Sequence, residues 1–211
     1  MPARVSETFV LRTYPFREAD LIVSFFTRDY GKLRGVAHRA RRPKSAFGAG
    51  LERLSHVRMA YSLRENAELA NLSSCELLES GFEVQSGYDC SLALDYFTEV
   101  SEHLLPAHEP FEKFFRLLKS MVDHLRAGGN LWSAIDYFTL WAVRLSGVFP
   151  ELRVNEGIAE LVEEMFTKPL SGFDTQEWGK STMPGLRRTL MRAIEQHVER
   201  KLLTVPLLEA I

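Results

Sequence analysis

Hydrophobic and polar residues alternate with a period of two from Glu7 to Leu78, in short segments separated by turn residues. Alternation of this kind is typical of strands that bury one face and expose the other. Five strands are predicted here, at Glu7–Thr13, Asp20–Arg28, Leu33–Arg39, Val57–Tyr61 and Ala67–Leu78. Five short strands in succession fit a small antiparallel barrel or sandwich. Tight turns are predicted at Tyr14–Arg17 and Asp29–Gly31, and a longer loop at Arg39–Gly50.

After Gly87 the hydrophobic spacing changes to the 3.6 residues of an α-helix. Apolar stripes of one helix face each run over Leu92–Leu104, Phe111–Leu125, Leu131–Leu145, Ile158–Phe166 and Leu186–Leu202. The change of period places a boundary near residues 79–87. The predicted fold is therefore α+β, with a barrel domain at residues 1–80 and an all-helical domain at residues 81–211.

Charge is distributed unevenly between these two parts. Residues 1–60 contain twelve Lys and Arg against five Asp and Glu, whereas residues 61–211 contain fourteen against twenty-three. A chain with a net charge of −2 therefore consists of a basic part and an acidic part. Four cations, Arg39, Arg41, Arg42 and Lys44, fall within the predicted long loop. This separation indicates a polyanion-binding module joined to a second domain.

Aromatic residues are interleaved with the basic ones, as in small barrels that hold single-stranded nucleic acid. The residues predicted to neutralise phosphates are Lys32, Arg34, Arg39, Arg41, Arg42 and Lys44, with His38 as a weaker member. Tyr14, Phe16 and Phe47 fall in predicted turns and are the candidates for stacking on bases, whereas Phe9 and Phe26 are assigned to the core. The alternative is a charged loop whose cations are simply solvated or pair with the acidic helices.

Motifs for catalysis or metal binding are missing from the sequence. It contains no GxxxxGK[ST], GxGxxG, GxSxG or HExxH motif, so an enzyme is disfavoured. Cys75 and Cys90 lie outside any CxxC motif and are predicted to be buried, inert thiols rather than zinc ligands or a disulfide. Glu99 and His103, one helical turn apart, are predicted to form a surface ion pair rather than a metal site. No metal or cofactor is expected.

The overall composition, 45% hydrophobic and 26% charged, is that of an ordinary globular protein. The longest apolar runs are far shorter than a membrane-spanning helix, and no signal peptide is recognisable, so a cytoplasmic location without membrane contact is expected. Cations are scattered over the helical part at Arg116, Lys119, Arg126, Arg144, Arg187, Arg188 and Arg192. An apolar groove rimmed by some of them would suit a partner's acidic, aromatic tail, although most of the apolar stripe is expected to be core.

The segment Phe9–Glu52 strongly resembles the N-terminal half of the RecO family of DNA repair and recombination mediators. The matching pieces are Phe9–Arg12, Glu18–Ile22, Phe26–Thr27, Gly31–Leu33, Val36–Ala37 and Ala40–Ser45, and Glu76–Glu79 is similar to the end of the family's last strand. The likeness is weaker in the helical part, where Phe138–Gly147 and Leu186–Leu203 resemble family helices.

This resemblance implies an N-terminal OB-fold barrel followed by a helical domain. It also implies binding of single- and double-stranded DNA, annealing of complementary strands, and loading of the recombinase RecA together with RecR and single-strand-binding protein. The acidic C-terminal tail of that last partner is expected to bind the helical domain, and a nucleoid-associated, cytoplasmic bacterial protein is implied.

Many family members carry a four-cysteine zinc insertion after the helix that corresponds to Phe138–Gly147. Here the interval Val148–Trp178 contains no cysteine, so the chain resembles a shortened, zinc-free branch. Asp136 and Tyr137 stand where some relatives have basic residues, so the tail-binding site is not transferred residue by residue.

The hypothesis from the sequence is thus a non-enzymatic factor that binds and anneals DNA. Two alternatives stay open. One is a protein interaction adaptor whose basic module docks an acidic partner, and the other is a nucleic-acid enzyme without recognisable motifs.

Overall fold

The computed structural model describes residues 3–64, 67–84, 87–152 and 154–211. The strands are β1 (Arg4–Phe16), β2 (Asp20–Thr27), β3 (Gly31–Ala37), β4 (His56–Ser62) and β5 (Ala70–Glu79). The helices are α1 (Tyr88–Leu104), α2 (Glu112–Arg126), α3 (Leu131–Leu145), α4 (Glu156–Thr167), α5 (Pro184–His197) and α6 (Val205–Ala210), with short 3-10 turns at Phe82–Val84 and Leu170–Gly172. Within these ranges no helix is both long and apolar enough to cross a membrane.

The chain divides into two compact units. A barrel unit contains Met1–Gln85 and Leu105–Phe115, and a helical unit contains Ser86–Leu104 and Arg116–Ile211. The boundary expected from the sequence, residues 79–87, includes residues 85 and 86, which lie outside the described residues.

The five strands form a closed barrel in the order β1-β2-β3-β5-β4. All neighbouring strands are antiparallel except β3 and β5, which pair in parallel through Gly35–Ala37 and Ala70–Leu72. This is the five-stranded Greek-key arrangement of the OB fold. The predicted α+β class, an OB-fold barrel followed by helices, is confirmed.

The barrel interior is filled by alternate residues of every strand, including Val10, Val23, Phe25, Leu33, Val57, Met59, Tyr61 and Leu72. The rings of Phe25 and Tyr61 meet edge to face with centroids 5.6 Å apart. Gly35 allows the parallel pair to close, because a Cβ at this position would lie 2.8 Å from the carbonyl oxygen of Ala70. Close approach of two backbones is a common reason for glycine within a strand.

The segment Leu105–Phe115 completes the packing of the barrel unit. The ring of Phe115 packs against those of Phe9 and Phe26, with centroid distances of 5.0 and 5.6 Å. Both of these rings are fully buried, as predicted. The His108 amide donates to the carbonyl of Lys32 at 3.0 Å. The segment therefore covers an apolar patch on the outside of the barrel.

Strand β1 continues through Phe16, so the tight turn predicted at Tyr14–Arg17 is wrong. Proline usually interrupts a strand because it lacks an N–H group. Here β1 pairs with β4 only as far as Phe9, and beyond the bulge at Val10–Arg12 it pairs with β2 alone. Pro15 therefore lies where one edge of the strand has no ladder to complete.

The helical unit packs around α1, α3 and α5. Phe97 on α1 meets Phe138 on α3 with centroids 4.5 Å apart, and the Tyr96 and Thr139 hydroxyls are 2.8 Å apart. Helix α3 begins after Asn130, whose side chain accepts a hydrogen bond from the Ser133 amide. Asparagine at this position satisfies an amide that has no partner within the helix.

The interval Val148–Trp178 contains α4 and a 3-10 turn. It packs on α3, because the Trp141 indole N–H donates to the carbonyl of Met165 at 3.0 Å. The Arg144 guanidinium lies 4.3 Å from the centre of the Phe166 ring. Aromatic and cation–π contacts therefore hold this cysteine-free interval against the helical core.

Glu99 is 1% exposed, so the predicted surface ion pair with His103 is wrong. Its carboxylate accepts hydrogen bonds from the amides of Leu203 and Thr204 at 2.8 and 2.9 Å and from the Thr204 hydroxyl at 2.6 Å. The stripe predicted at Leu186–Leu202 extends beyond the helix that the structure shows there. Helix α5 ends at His197, and Glu99 fixes the connection that leads to the separate helix α6.

Both cysteines are half-buried and take part in no disulfide among the described residues. The Cys75 thiol donates to the carbonyl of Phe47 at 3.2 Å, and burial raises its pKa to about 11. A thiol with so high a pKa contains little of the reactive thiolate near neutral pH.

Candidate nucleic-acid interface

The outer face of strands β1, β2 and β3 carries two adjacent rows of side chains that the strand register places side by side. One row is Tyr14, Ile22 and Val36, and the other is Arg12, Ser24 and Arg34. The guanidinium of Arg34 lies 5.8 Å from the centre of the Tyr14 ring, which shows that the two rows share a face. Tyr14 and Arg34 are both exposed. We refer to these six residues as the outer face, of which Ser24 itself is buried beneath its neighbours.

The basic loop, residues 38–55, follows β3 directly and is a succession of turns. Hydrogen bonds join the amide of Arg42 to the carbonyl of Arg39 at 3.0 Å and the amide of Ser45 to the carbonyl of Arg42 at 3.2 Å. At its far end, the Leu54 amide donates to the carbonyl of Val10 at 2.7 Å. The loop is thus anchored at both ends, and the side chains of Arg39, Arg41, Arg42 and Lys44 are exposed along it.

The start of the basic loop is attached to the turn between β1 and β2, residues 17–19. The Arg41 amide donates to the carbonyl of Ala19 at 3.0 Å. Asp20 accepts the Arg39 amide at 2.8 Å, and its other oxygen lies 3.0 Å from Nδ1 of His38. These bonds hold the pKa of Asp20 below its usual value, the largest cause being the Arg39 amide. The two loops are therefore held together at the edge of the outer face.

Cations of the barrel unit fall into two groups. Arg28 pairs with Glu7 at 3.2 Å and with Glu112 at 2.7 Å, and Arg58 pairs with Glu76 at 2.6 Å. In the part of the chain that the structure describes, no ion pair or hydrogen bond is made by the side chains of Arg34, Arg39, Arg41, Arg42 and Lys44. These five of the cations chosen from the sequence are thus available to an external anion.

Lys32 and His38 flank this group. Lys32 is half-buried near the start of β3, opposite Phe26, and so lies further from the basic loop than Arg34 does. His38 is exposed at the end of β3, where its ring contacts Asp20. Lys32 therefore lies near the start of β3, Arg34 at its middle, and the four loop cations beyond its end.

Phe47 is wrong as a candidate for base stacking. Its side chain is only 4% exposed and belongs to the barrel core with Val23 and Val57. The loop folds back at this point, where the Phe47 carbonyl also accepts bonds from the Gly50 amide and the Cys75 thiol. Phe47 anchors the basic loop by burying an apolar ring, which leaves no face of that ring for a base.

Tyr14 and Phe16 stay on the surface, although on β1 rather than in a turn. Tyr14 is 39% exposed. Phe16 is half-buried, with the Arg17 guanidinium 5.1 Å from its ring centre. The sequence did not single out Arg12, Arg17, Ile22 and Val36 as site residues. Once the register of β1, β2 and β3 is known, the period of two along each strand identifies three of them.

The helical unit has a separate pocket of about 270 Å³, here called the Trp132 pocket. It is lined by Trp132, Lys180, Pro184, Arg187, Arg188, Met191, Val205, Leu208 and Glu209. One wall rests on a buried ion pair, in which Arg187 donates to both oxygens of Asp136 at 2.6 and 2.8 Å. The indole N–H of Trp178 donates to the same carboxylate at 2.9 Å. Asp136 is therefore a structural residue of α3.

The rim of the Trp132 pocket contains cations of different availability. The Arg187 guanidinium is committed to Asp136 and lies 4.5 Å from the centre of the Trp132 ring. Lys180 donates to the carbonyls of Glu209 and Ile211. Arg188 is exposed and bonds only the Pro184 carbonyl within the described ranges. In the part of the chain that the structure describes, no three His, Cys, Asp or Glu side chains come together as a metal site.

Known proteins match this chain along nearly its whole length. Family models described as "Recombination protein O N terminal" and "Recombination protein O C terminal" match residues 1–81 and 85–157. The DNA repair protein RecO of Koribacter versatilis is 38% identical over 240 aligned positions, which cover 98% of each chain. That alignment has more positions than this chain has residues, so the relative contains residues that this chain lacks.

More distant relatives carry the same name. The DNA repair protein RecO of Bifidobacterium adolescentis is 31% identical over 82% of this chain and 72% of its own. That of Anaeromyxobacter sp. (strain K) is 28% identical over 86% of this chain and 71% of its own. The resemblance found in Phe9–Glu52 is confirmed. The chain belongs to the RecO family of DNA repair proteins.

Proposed function

We propose that this protein binds DNA through the outer face and the basic loop, and that it anneals complementary strands as a non-enzymatic recombination mediator. The observation that carries the proposal is the set of unpaired cations beside the exposed Tyr14 ring. OB folds hold oligonucleotides on the face of strands 2 and 3 and on the loops beside it. The outer face, which includes residues of β2 and β3, corresponds to that face.

The chemistry of the interface favours the backbone over the bases. Arg34, Arg39, Arg41, Arg42 and Lys44 would neutralise phosphates, and Tyr14 and Phe16 would stack on bases. A stacked base presents its face rather than its hydrogen-bonding edge, so recognition independent of sequence is expected. The apolar side chains of Ile22 and Val36 extend the surface on which sugars and bases would lie.

Annealing requires only that two strands be neutralised together, because pairing itself supplies the free energy. The basic loop projects its cations from the edge of the outer face, where a second strand would approach the first. No bond is made or broken in this process and no nucleotide is hydrolysed. In the pathway implied by the family resemblance, the annealed or exposed strand is then passed to RecA with the help of RecR at the bacterial chromosome.

Fluorescence anisotropy with a labelled, mixed-sequence single strand at two salt concentrations tests DNA binding. We expect micromolar or tighter binding. The logarithm of the association constant should fall linearly with the logarithm of the salt concentration, with a slope of about 0.7 per phosphate contact. Each cation replaced by Ala on the basic loop should reduce that slope by one such step. Binding that is absent at both salt concentrations would overturn the proposal and favour an adaptor with an acidic protein partner. Cleavage or modification of the labelled strand in the presence of a divalent metal would instead favour an enzyme.

We also propose that the Trp132 pocket binds the acidic C-terminal tail of single-strand-binding protein. Trp132, Met191 and Leu208 would accept apolar tail residues, and Lys180 and Arg188 would attract the acidic ones. A fluorescent peptide with the tail sequence should bind the protein and be displaced by unlabelled peptide. Arg188→Glu should weaken this binding, whereas Arg192→Glu, also exposed on α5 but outside the pocket lining, should not. Equal binding by both variants would remove the pocket as the site.

Contact with RecR is a further part of the proposal. A pull-down with purified RecR tests it, and retention should survive Arg188→Glu if RecR and the acidic tail use different surfaces.

A further inference from the structure

We propose that Asp20 is a positioning residue for DNA binding, because its carboxylate holds the start of the basic loop in the conformation that presents Arg39 and Arg41 to a DNA strand. This inference rests on the DNA-binding function proposed above. Asp20 is the first residue of β2 and is only 8% exposed. Asp20 belongs to β2, whereas the loop that it holds follows β3.

Both oxygens of this carboxylate are used by consecutive residues of the loop. Oδ1 accepts the amide of Arg39 at 2.8 Å, and Oδ2 lies 3.0 Å from Nδ1 of His38. The backbone bond to Arg39 is the largest of several causes that lower the pKa of Asp20, and the side chains of His38 and Arg17 act in the same direction. Asp20 is therefore ionised near neutral pH, and its bonds have the strength of charge-assisted ones.

The loop needs such a support because two of its residues are in an unfavourable backbone conformation. Arg39 has a φ of 56° and Lys44 a φ of 62°, in the left-handed region that residues with a side chain seldom adopt. Two residues after Arg39, the Arg41 amide donates to the carbonyl of Ala19, the residue before Asp20. Loss of the carboxylate would allow Arg39 to relax to a negative φ, which would turn the following cations away from the outer face.

Simple electrostatics makes the opposite prediction. A carboxylate beside a phosphate-binding surface repels the phosphates, so its removal should tighten DNA binding. If Asp20 positions the loop, its removal should weaken binding although a negative charge is lost. Glu18, which is exposed two residues earlier in the turn, provides the matched control, since its carboxylate makes no hydrogen bond to any described residue.

The first measurement is the affinity of Asp20→Ala, Asp20→Asn and Glu18→Gln for a labelled single strand at fixed salt. We expect Glu18→Gln to bind as tightly as the unmodified protein or slightly tighter. Asp20→Ala should bind about ten-fold more weakly, because two hydrogen bonds to a charged acceptor are lost. Asp20→Asn, which keeps the shape and one acceptor oxygen, should be intermediate, and it tests the proposal if Asp20→Ala fails to fold. Binding of either Asp20 variant as tight as that of Glu18→Gln overturns the proposal.

The second measurement is limited trypsin digestion without DNA, which reports the order of the loop directly. Trypsin can cut after Arg39, Arg41 and Lys44, whereas Arg42 is protected by the following Pro43. The Asp20 variants should be cut in this loop several-fold faster than the unmodified protein and Glu18→Gln. Equal cutting rates overturn the inference even if DNA binding changes. If the unmodified protein does not bind DNA but the Asp20 variants are cut faster, the DNA-binding function has failed while the support of the loop by Asp20 stands.

Discussion

The guanidinium of Arg34 lies 5.8 Å from the centre of the Tyr14 ring, so a cation of β3 and an aromatic side chain of β1 meet across the strand between them. An arginine held near an aromatic ring is restricted in its rotamers but keeps its donors free for a phosphate. The two side chains are thus close enough for one nucleotide to contact both, with its phosphate on Arg34 and its base on Tyr14.

Replacement of Tyr14 by Ala should weaken binding of single-stranded DNA by about 5- to 140-fold, because a stacked base contributes ~1–3 kcal/mol. Tyr14→Phe retains the ring and should bind almost normally. Anisotropy titrations of both variants at one salt concentration provide the test. Equal losses in Tyr14→Ala and Tyr14→Phe would show that the hydroxyl rather than the ring matters.

Reversal of Arg41 and Arg42 to Glu together should abolish annealing of complementary oligonucleotides. Both side chains are exposed and without ion pairs in the described ranges, so the thermal melt should change little. Arg58→Glu combined with Arg116→Glu has the same net charge and is the control. If that control also fails to anneal, net charge rather than the basic loop determines the activity.

Removal of either partner of the buried Asp136–Arg187 ion pair should destabilise the protein strongly. Asp136→Ala leaves the Arg187 guanidinium and the Trp178 N–H without their acceptor, and breaking such a pair costs ~3–5 kcal/mol. Urea unfolding of Asp136→Ala, Arg187→Ala and the double variant measures the coupling between the two residues. Arg188→Ala, on the exposed side of α5, should change the free energy of unfolding by less than about 0.5 kcal/mol. Strictly additive losses in the double variant would contradict the structure.

Glu99→Ala should release the connection between α5 and α6. The amides of Leu203 and Thr204 would lose their acceptor, and their hydrogen exchange should accelerate more than that of amides in α3. Leaving buried donors unpaired costs ~1–3 kcal/mol for each group, so unfolding should also become easier. Glu99→Gln retains one acceptor oxygen and should show a smaller effect. Unchanged exchange at both amides in Glu99→Ala would count against this arrangement.

Stability should fall as the pH rises above about 9. Burial raises the pKa of the Cys75 thiol from 9.0 to about 11, so the unfolded chain loses this proton before the folded protein does. The stabilisation is complete below the unfolded pKa and disappears as pH rises through the folded value. Free energies of unfolding at several alkaline pH values should decline less steeply in Cys75→Ala than in the unmodified protein. A decline of equal slope would mean that other groups, such as Tyr61 with a pKa of about 12, determine it.

The strands and the fold class could be predicted because alternation and turn residues are local properties of the sequence. The end of β1 could not, because whether a strand tolerates Pro15 depends on which neighbour it pairs with. Phe47 was misassigned for a related reason, since a phenylalanine in a charged loop gives no local sign that it folds back into the core.

In the candidate site, the exposed cations of the basic loop could be located from the sequence, but the residue that supports the loop could not. Asp20 and Arg39 are nineteen residues apart, and the bond between them depends on the pairing of β2 with β3. The outer face likewise depends on register, because Ile22 and Val36 become neighbours of Tyr14 only when three strands are aligned.

Because Leu105–Phe115 belongs to the barrel unit, the barrel is discontinuous along the chain and α1 is synthesised before its last piece. During synthesis on the ribosome, the rings of Phe9 and Phe26 therefore stay exposed on one side until Phe115 has been translated. A fragment that stops after β5 would carry this apolar patch permanently, so it would aggregate more readily than the whole chain. The order of synthesis thus makes completion of the barrel depend on residues translated well after its strands.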